Sequence, residues 1–286
     1  MTTFLNFYFR QGPPYNLVEY EHVSVSAFQA IVETFPEFNR PDKYCWEVLL
    51  RENDPRLAAI LTFLQEHGLS PYTKSHPWYR KVGNPSLFLI KKKHEFTTQE
   101  YNEAPFLEMA GEIEMGEHKH LHFDSPLLVH IKSKIPPIGR AEGAKGPICT
   151  QIIKEHMEAE GFKGFTFTPV VVEGSRQPSE PLWEIWSNYM MPPMCSPLVD
   201  DDGTPVIPGH YTNGCHIAET ELPHIYRYTS DAIASMASVD AAVTHEDFGP
   251  KTKLCEMRRL LVSQRFRQWA LQNKIKLDYD PIVVVR

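Results

Sequence analysis

The chain has 286 residues, 42% hydrophobic and 23% charged, which is material for one large core or two ordinary ones and excludes a disordered chain. A net charge of −7 argues against generic binding to nucleic acid or to an anionic membrane surface. Five scattered cysteines exclude a disulfide framework, no apolar run approaches the roughly 18 residues of a membrane helix, and Met1 to Pro14 lack the features of a signal peptide, so the cytoplasm is the expected location.

Thr3 to Phe9 is rich in aromatic residues and predicts a strand, closed by Gly12-Pro13-Pro14. Ser24 or Ser26 can cap a helix with Phe28, Ile31, Val32 and Phe35 along one face. Asp54 and Pro55 start a second helix, with Leu57, Ile60, Leu61 and Leu64 as its apolar stripe and Gly68 at its end. Residues 69–86 read as a long connection, and Ser86–Ile90 as a short strand leading to the basic run Lys91-Lys92-Lys93. Thr97 and Glu100 form a capping box for a short helix stopped before Pro105. Phe106 to Met115 and Pro126–Ile131 predict extended segments, as do Leu182–Tyr189 and Ile225–Tyr228 farther on. The long connection and the basic run place a division between an N-terminal α/β segment, 1–95, and a second domain, 96–286.

One pattern occurs twice, near 148–172 and 261–285. The first copy reads Ile148-Cys149-Thr150-Gln151, a helical stretch to Gly161, then Phe165 to Val172; the second reads Leu261-Val262-Ser263-Gln264, a helical stretch to Asn273, then Leu277 to Val284. Thr150 and Ser263 are matched candidate N-caps, and Ile153 and Met157 align with Phe266 and Ala270 as core-facing positions one turn apart. Each following strand alternates and contains a proline, Pro169 or Pro281, which predicts an edge position or a bulge. Leu260–Val262 also reads as a strand before its helix. The fold class expected is therefore α/β or α+β, with mixed sheets and two copies of a helix-then-strand unit that extends to strand–helix–strand.

Few groupings carry chemistry. On a strand, His118, His120 and His122 share one face with Asp124 next in the row, a candidate zinc-binding row. Same-face neighbours stand roughly 6.5–7 Å apart, so three in succession converge on one ion only where the strand bends; a polar, solvent-facing side is the alternative. Cys195, Cys215, His216 and nearby His210 offer a second metal set, without any Cys-x-x-Cys pair to support it. Asp200-Asp201-Asp202-Gly203 resembles the start of a calcium loop but fails its pattern, since Tyr211 stands where the closing glutamate belongs. Nucleophile-elbow and phosphate-loop signatures are absent. No cofactor is expected.

Charge is segregated. Cys195 to Gly249 contains nine acidic residues and one basic residue, Arg227, whereas Lys251 to Arg286 contains nine basic and three acidic. The two stretches either match each other within the fold or leave Asp200, Asp201 and Asp202 as part of a negative face for a cationic partner.

The segment Leu261 to Arg267 with Pro281-Ile282-Val283 is similar to the final unit of immunity family eleven of bacterial polymorphic-toxin loci. Pro192-Pro193-Met194 through Tyr211 to His216 resembles the middle section of the double-CXXCG immunity-like proteins, although both Cys-x-x-Cys-Gly pairs of that group are missing here. The resemblance covers about residues 95–286. It implies a non-catalytic protein that binds a co-encoded toxin, with no site transferable residue by residue. A metal-dependent enzyme using the histidine row and a self-assembling structural protein are the rival expectations.

Overall fold

Alternating strands and amphipathic helices give the chain both element types in sheets of mixed direction, an α/β or α+β architecture. The structure, a computed structural model, describes residues 1–10, 33–35, 39–42, 45–66, 70–72, 87–118, 127–132, 134–142, 144–174, 177–195, 198–199, 205–206, 216–217, 221–222, 225–248 and 258–285. It divides into two compact units, one built on Met1–Phe96 and one on Thr97–Asp200, Thr204–Ile217 and Ile225–Arg286.

In the first unit the aromatic strand β1 (Thr2–Arg10) is central, antiparallel to β3 (Cys45–Arg51) on one side and to β5 (Leu87–Glu95) on the other. β2 (Asn39–Asp42) pairs with β3, while β4 (Ser70–Tyr72) and the short strand Glu221–Leu222 run parallel to β5. The basic run lies within β5 rather than after it, because Asn6, Leu5 and Phe4 of β1 supply register partners for Lys91, Lys92 and Lys93. Helix α1 (Leu57–Glu66) buries Ile60. It starts after the Asp54–Pro55 signal. Asp54 accepts hydrogen bonds from the Arg56 guanidinium at 2.7 Å and from the Arg56 backbone N–H at 2.9 Å, and the guanidinium bond above all holds its carboxyl down at about 2. Ser24, Ser26, Phe28, Ile31 and Val32 of the first expected helix lie outside the described residues, as do Gly68 and 73–86.

The second unit holds a closed six-stranded barrel. Its strands are β7 (Glu114–His118), β8 (Leu127–Ile131), β9 (Ile138–Glu142), β10 (Ile148–Thr150), β11 (Phe165–Glu173) and β12 (Leu182–Ser187), in the order β10-β12-β11-β8-β7-β9. Met115, Leu127, Val129, Ile131, Ala141, Ile148 and Leu182 fill its core. A four-stranded sheet in the order β14-β15-β6-β16 comprises β6 (Phe106–Gly111), β14 (Ala241–Val243), β15 (Leu260–Ser263) and β16 (Leu277–Pro281). β13 (Arg227–Thr229) pairs in parallel with β17 (Val283–Val285). The helices are α2 (Thr98–Glu103), α3 (Gln151–Ala159), α4 (Ser230–Ser235) and α5 (Gln264–Gln272). The capping box of α2 forms as expected, Thr97 Oγ1 accepting from Glu100 N–H at 3.3 Å and Glu100 Oε2 accepting from Thr97 N–H at 2.8 Å. The stretch from Phe106 to Met115 divides into β6 and the start of β7 at a bend through Glu112 and Ile113.

Both copies of the internal pattern fold as strand–helix–strand: β10–α3–β11 and β15–α5–β16. In each, the two strands run the same way without touching, because a third strand, antiparallel to both, lies between them: β12 in the first copy and β6 in the second. Each unit thus borrows a strand from elsewhere in the chain to complete its ladder. Ser263 caps α5, accepting from Phe266 N–H at 3.2 Å. Thr150 makes no such side-chain bond; the Glu180 carboxylate replaces it by accepting from Ile152 N–H at 2.8 Å, where negative charge favours a helix start. Pro281 sits in the edge strand β16, as its missing N–H requires. β11 is not an edge strand, but its pairing with β8 begins only at Val170, so Pro169 has a ladder neighbour on one side alone.

The two copies share one core. Met157 of α3 and Phe266, Trp269 and Ala270 of α5 belong to the same buried cluster, with Ile153 packed against it. Between them Phe162 meets Phe266 and Trp269 at centroid distances of 5.4 and 5.5 Å, and Phe165 meets Phe266 at 5.0 Å. Gly164 lets the chain enter β11: its φ is +103°, and a Cβ there would stand 2.3 Å from the Ala241 carbonyl oxygen.

Candidate functional site

Alternation along β6 places Met109 against the core shared by the two repeats and sends Phe106 and Glu108 to the opposite face. That second face carries a separate cluster of Tyr226, Tyr228, Phe248, Leu261 and Ile282. Glu108 therefore stands beside this apolar cluster. The register sets Asp280 of β16 directly across from it, and Asp278 two residues earlier in the same row. The Tyr226 hydroxyl donates to Glu108 Oε2, and Arg259 Nε lies 3.9 Å from Glu108 Oε1. The guanidinium of Arg259 stacks 5.7 Å from the Phe248 ring centre, and Tyr226 meets the same ring edge-on at 5.5 Å. Burial, then the charges of Glu108 and Asp278, pushes the Asp280 carboxyl up to about 7.

A carboxyl elsewhere in the second unit is buried more deeply. Glu246 is 2% exposed; one oxygen accepts from Met194 N–H at 2.8 Å, and Oε2 has no hydrogen-bond partner among the described residues. Burial pushes it up to about 7. Thr244 holds the turn, its hydroxyl donating to the Glu246 carbonyl at 2.8 Å and accepting from Arg259 N–H at 3.0 Å. A group with a raised folded pKa stabilises the fold fully below its unfolded pKa and loses that contribution as pH rises through the folded one. Glu246 should thus cost up to about 3 kcal/mol between pH 4.5 and pH 8, an order-of-magnitude figure. Denaturant melts across that range should show Glu246→Gln with a flatter pH dependence than the parent chain; equal slopes would contradict it.

Asp240 is also buried, and its task is structural. Oδ2 accepts from Lys163 N–H at 2.9 Å, after the first helix, and from Arg265 Nη1 at 3.1 Å, on the second; Oδ1 accepts from the Ser263 hydroxyl at 2.8 Å. Arg265 also donates to the Glu160 carbonyl and lies 4.7 Å from the Phe162 ring centre. The sequence pattern marks Arg265 as a tolerant surface position. In the structure it bridges the two repeats instead, although its side chain is half exposed.

These contacts also account for part of the charge segregation. Asp240 and Asp247 pair with Arg265 and Arg258 of the basic tail, at 3.1 and 3.7 Å, and Glu246 is buried. Three of the nine acidic residues are thereby drawn into the fold rather than into a surface field. Asp200, Asp201 and Asp202 lie outside the described residues.

Of the histidine row, His118 ends β7 opposite Val129, while His120, His122 and Asp124 lie outside the described residues. His216 falls in a short strand parallel to Asp247–Phe248, and His210 and Cys215 lie outside the described residues. Among the described residues no group of three or more His, Cys, Asp and Glu could hold a metal ion. Burial pushes the Cys149 thiol up to about 12 and raises that of Cys195, which disfavours the reactive thiolate at both. No helix among the described residues is long and apolar enough to cross a membrane.

Sequence reasoning did not single out Glu108, Asp280, Asp240 or Glu246. A signal existed for the first pair, a carboxylate alternating with Phe106 on β6 and the Asp278-Tyr279-Asp280 alternation on β16, but only pairing brings the two strands together. Compared with protein-family models, curated proteins and solved structures, the chain matches none.

Proposed function

We propose that the chain is a cytoplasmic binding protein that neutralises a co-encoded bacterial toxin stoichiometrically, without turnover. The observation that carries this reading is the internal repeat. The residues on which the resemblance to immunity family eleven rests, Leu261 to Arg267 and Pro281 to Val283, form β15, the start of α5, the end of β16 and the start of β17, and the earlier copy is built the same way around the same core. A rigid double unit suits an inhibitor, which binds best when little ordering is left to do on association. Asp200, Asp201 and Asp202 are the proposed contact to a cationic toxin; charge there accelerates encounter more than it deepens affinity.

The test is to express the chain with the toxin-like product of the neighbouring reading frame. Rescue of growth and recovery of a stoichiometric complex are expected. Association measured by stopped flow should slow with added salt, and the Asp200→Asn, Asp201→Asn, Asp202→Asn triple variant should associate more slowly with little change in dissociation. Absence of both binding and rescue overturns the reading; salt-independent association with an unchanged rate for the triple variant removes the acidic run from the interface.

A further inference from the structure

We infer that Glu108 and Asp280, facing each other across β6 and β16, form a proton-operated latch that fastens the edge strand β16 to its sheet when Asp280 is protonated and loosens it when Asp280 ionises. The argument begins with the register. Directly opposite residues of an antiparallel pair hold their Cβ atoms roughly 4.5–5.5 Å apart, so two carboxylates there repel strongly unless one is neutral.

The surroundings decide which one takes the proton. Glu108 faces a hydroxyl donor, Tyr226, and a guanidinium, Arg259, and both interactions are strongest when Glu108 is charged. Among the described residues Asp280 faces acids and a phenol: Glu108 across the ladder, Asp278 on its own strand, and Tyr101 on α2, with Arg267 of α5 lying 5.9 Å from the Tyr101 ring. Burial and like charge together favour its neutral form, which accords with the raised carboxyl described above. A proton on Asp280 removes the repulsion and leaves a donor facing Glu108.

The latch acts on an edge strand whose Leu277 and Tyr279 pack against the shared core. Among the described residues β16 is the edge of its sheet and has a ladder on the β6 side only. Beyond Pro281 the chain is held independently, Ile282 N–H donating to the Phe106 carbonyl at 3.2 Å and β17 pairing with β13. Ionisation of Asp280 therefore loosens Leu277–Asp280 while the chain beyond stays in place, and it uncovers the backbone groups of β6 that β16 had paired.

Hydrogen exchange on the full chain at pH 5.5 and pH 8.5, corrected for the intrinsic pH dependence of exchange, tests this. Protection at Leu277–Asp280 should fall by roughly tenfold or more at the higher pH, one pKa unit of differential interaction corresponding to a factor of ten. Asp280→Asn should keep equal protection at both pH values and melt roughly 2–6 °C higher than the parent at pH 8.5. A carboxyl-carbon NMR titration gives a second measure. Asp280 should titrate near neutrality in the parent and move toward its ordinary range in Glu108→Gln, whose amide oxygen can still accept from Tyr226. PH-independent protection of β16 in the parent, an Asp280 that titrates near 4, or an Asp280→Asn chain that loosens with pH as the parent does would each overturn the latch.

Discussion

Replacing Phe266 with alanine should destabilise the second unit by about 3–5 kcal/mol, the largest effect of any single truncation considered. The ring is fully buried and packs against Phe162, Phe165 and Trp269 at centroid distances of 5.0–5.4 Å. Two of those partners follow the first helix and one lies on the second, so the cavity would open at the contact between the two repeats. Surrounding strands hold both sides, which limits collapse into the space and keeps the cost at the upper end. Leu271→Ala is the control: its side chain on the same helix is half exposed, and it should change stability by only a few tenths of a kcal/mol. Chemical denaturation with both variants measures the difference. A loss below 1 kcal/mol for Phe266→Ala would mean that the repeats do not share a core.

Asp240→Ala should cost about 2–4 kcal/mol by a different route. The substitution strands donors rather than opening space. Lys163 N–H and the Ser263 hydroxyl lose their acceptor, and Arg265 loses its ion pair. Removing one member of a buried ion pair costs about 3–5 kcal/mol, and the figure here is reduced because Arg265 is half exposed and solvent can take over part of its charge. Arg265→Ala should cost less, about 1–2 kcal/mol, since it leaves Asp240 with its Lys163 and Ser263 donors. The double variant should cost less than the sum of the two singles, because both changes delete the same interaction. A double-mutant cycle with denaturant melts measures that coupling; strict additivity would show that the ion pair carries no energy.

The local signals in the sequence were legible because they are settled within a few residues. The capping box at Thr97, the Ser263 cap, the helix after Asp54–Pro55, the aromatic strand at Thr3 to Phe9 and the doubled helix-then-strand pattern all follow from short-range hydrogen bonding and periodicity. One local expectation failed for an equally physical reason: the α3 cap comes from Glu180, which is distant in sequence, so nothing in the neighbourhood of Thr150 could reveal it.

What only the tertiary structure decided is which strands meet. Sequence predicted two strand–helix–strand units, but not that β12 and β6 would enter them, because backbone pairing reads alike for any strand of suitable length. That single fact creates the candidate site. Once β6 lies beside β16, Glu108 and Asp280 are forced into one cross-strand pair, and the charge of Glu108 helps to raise the proton affinity of Asp280. Asp240 shows the same dependence, since its donors come from Lys163, Ser263 and Arg265 and no spacing in the chain announces them. Charge, caps and periodicity are properties of short segments, and the sequence by itself determined them. Burial and proton sharing are properties of neighbours, and the long-range pairing of strands chooses those.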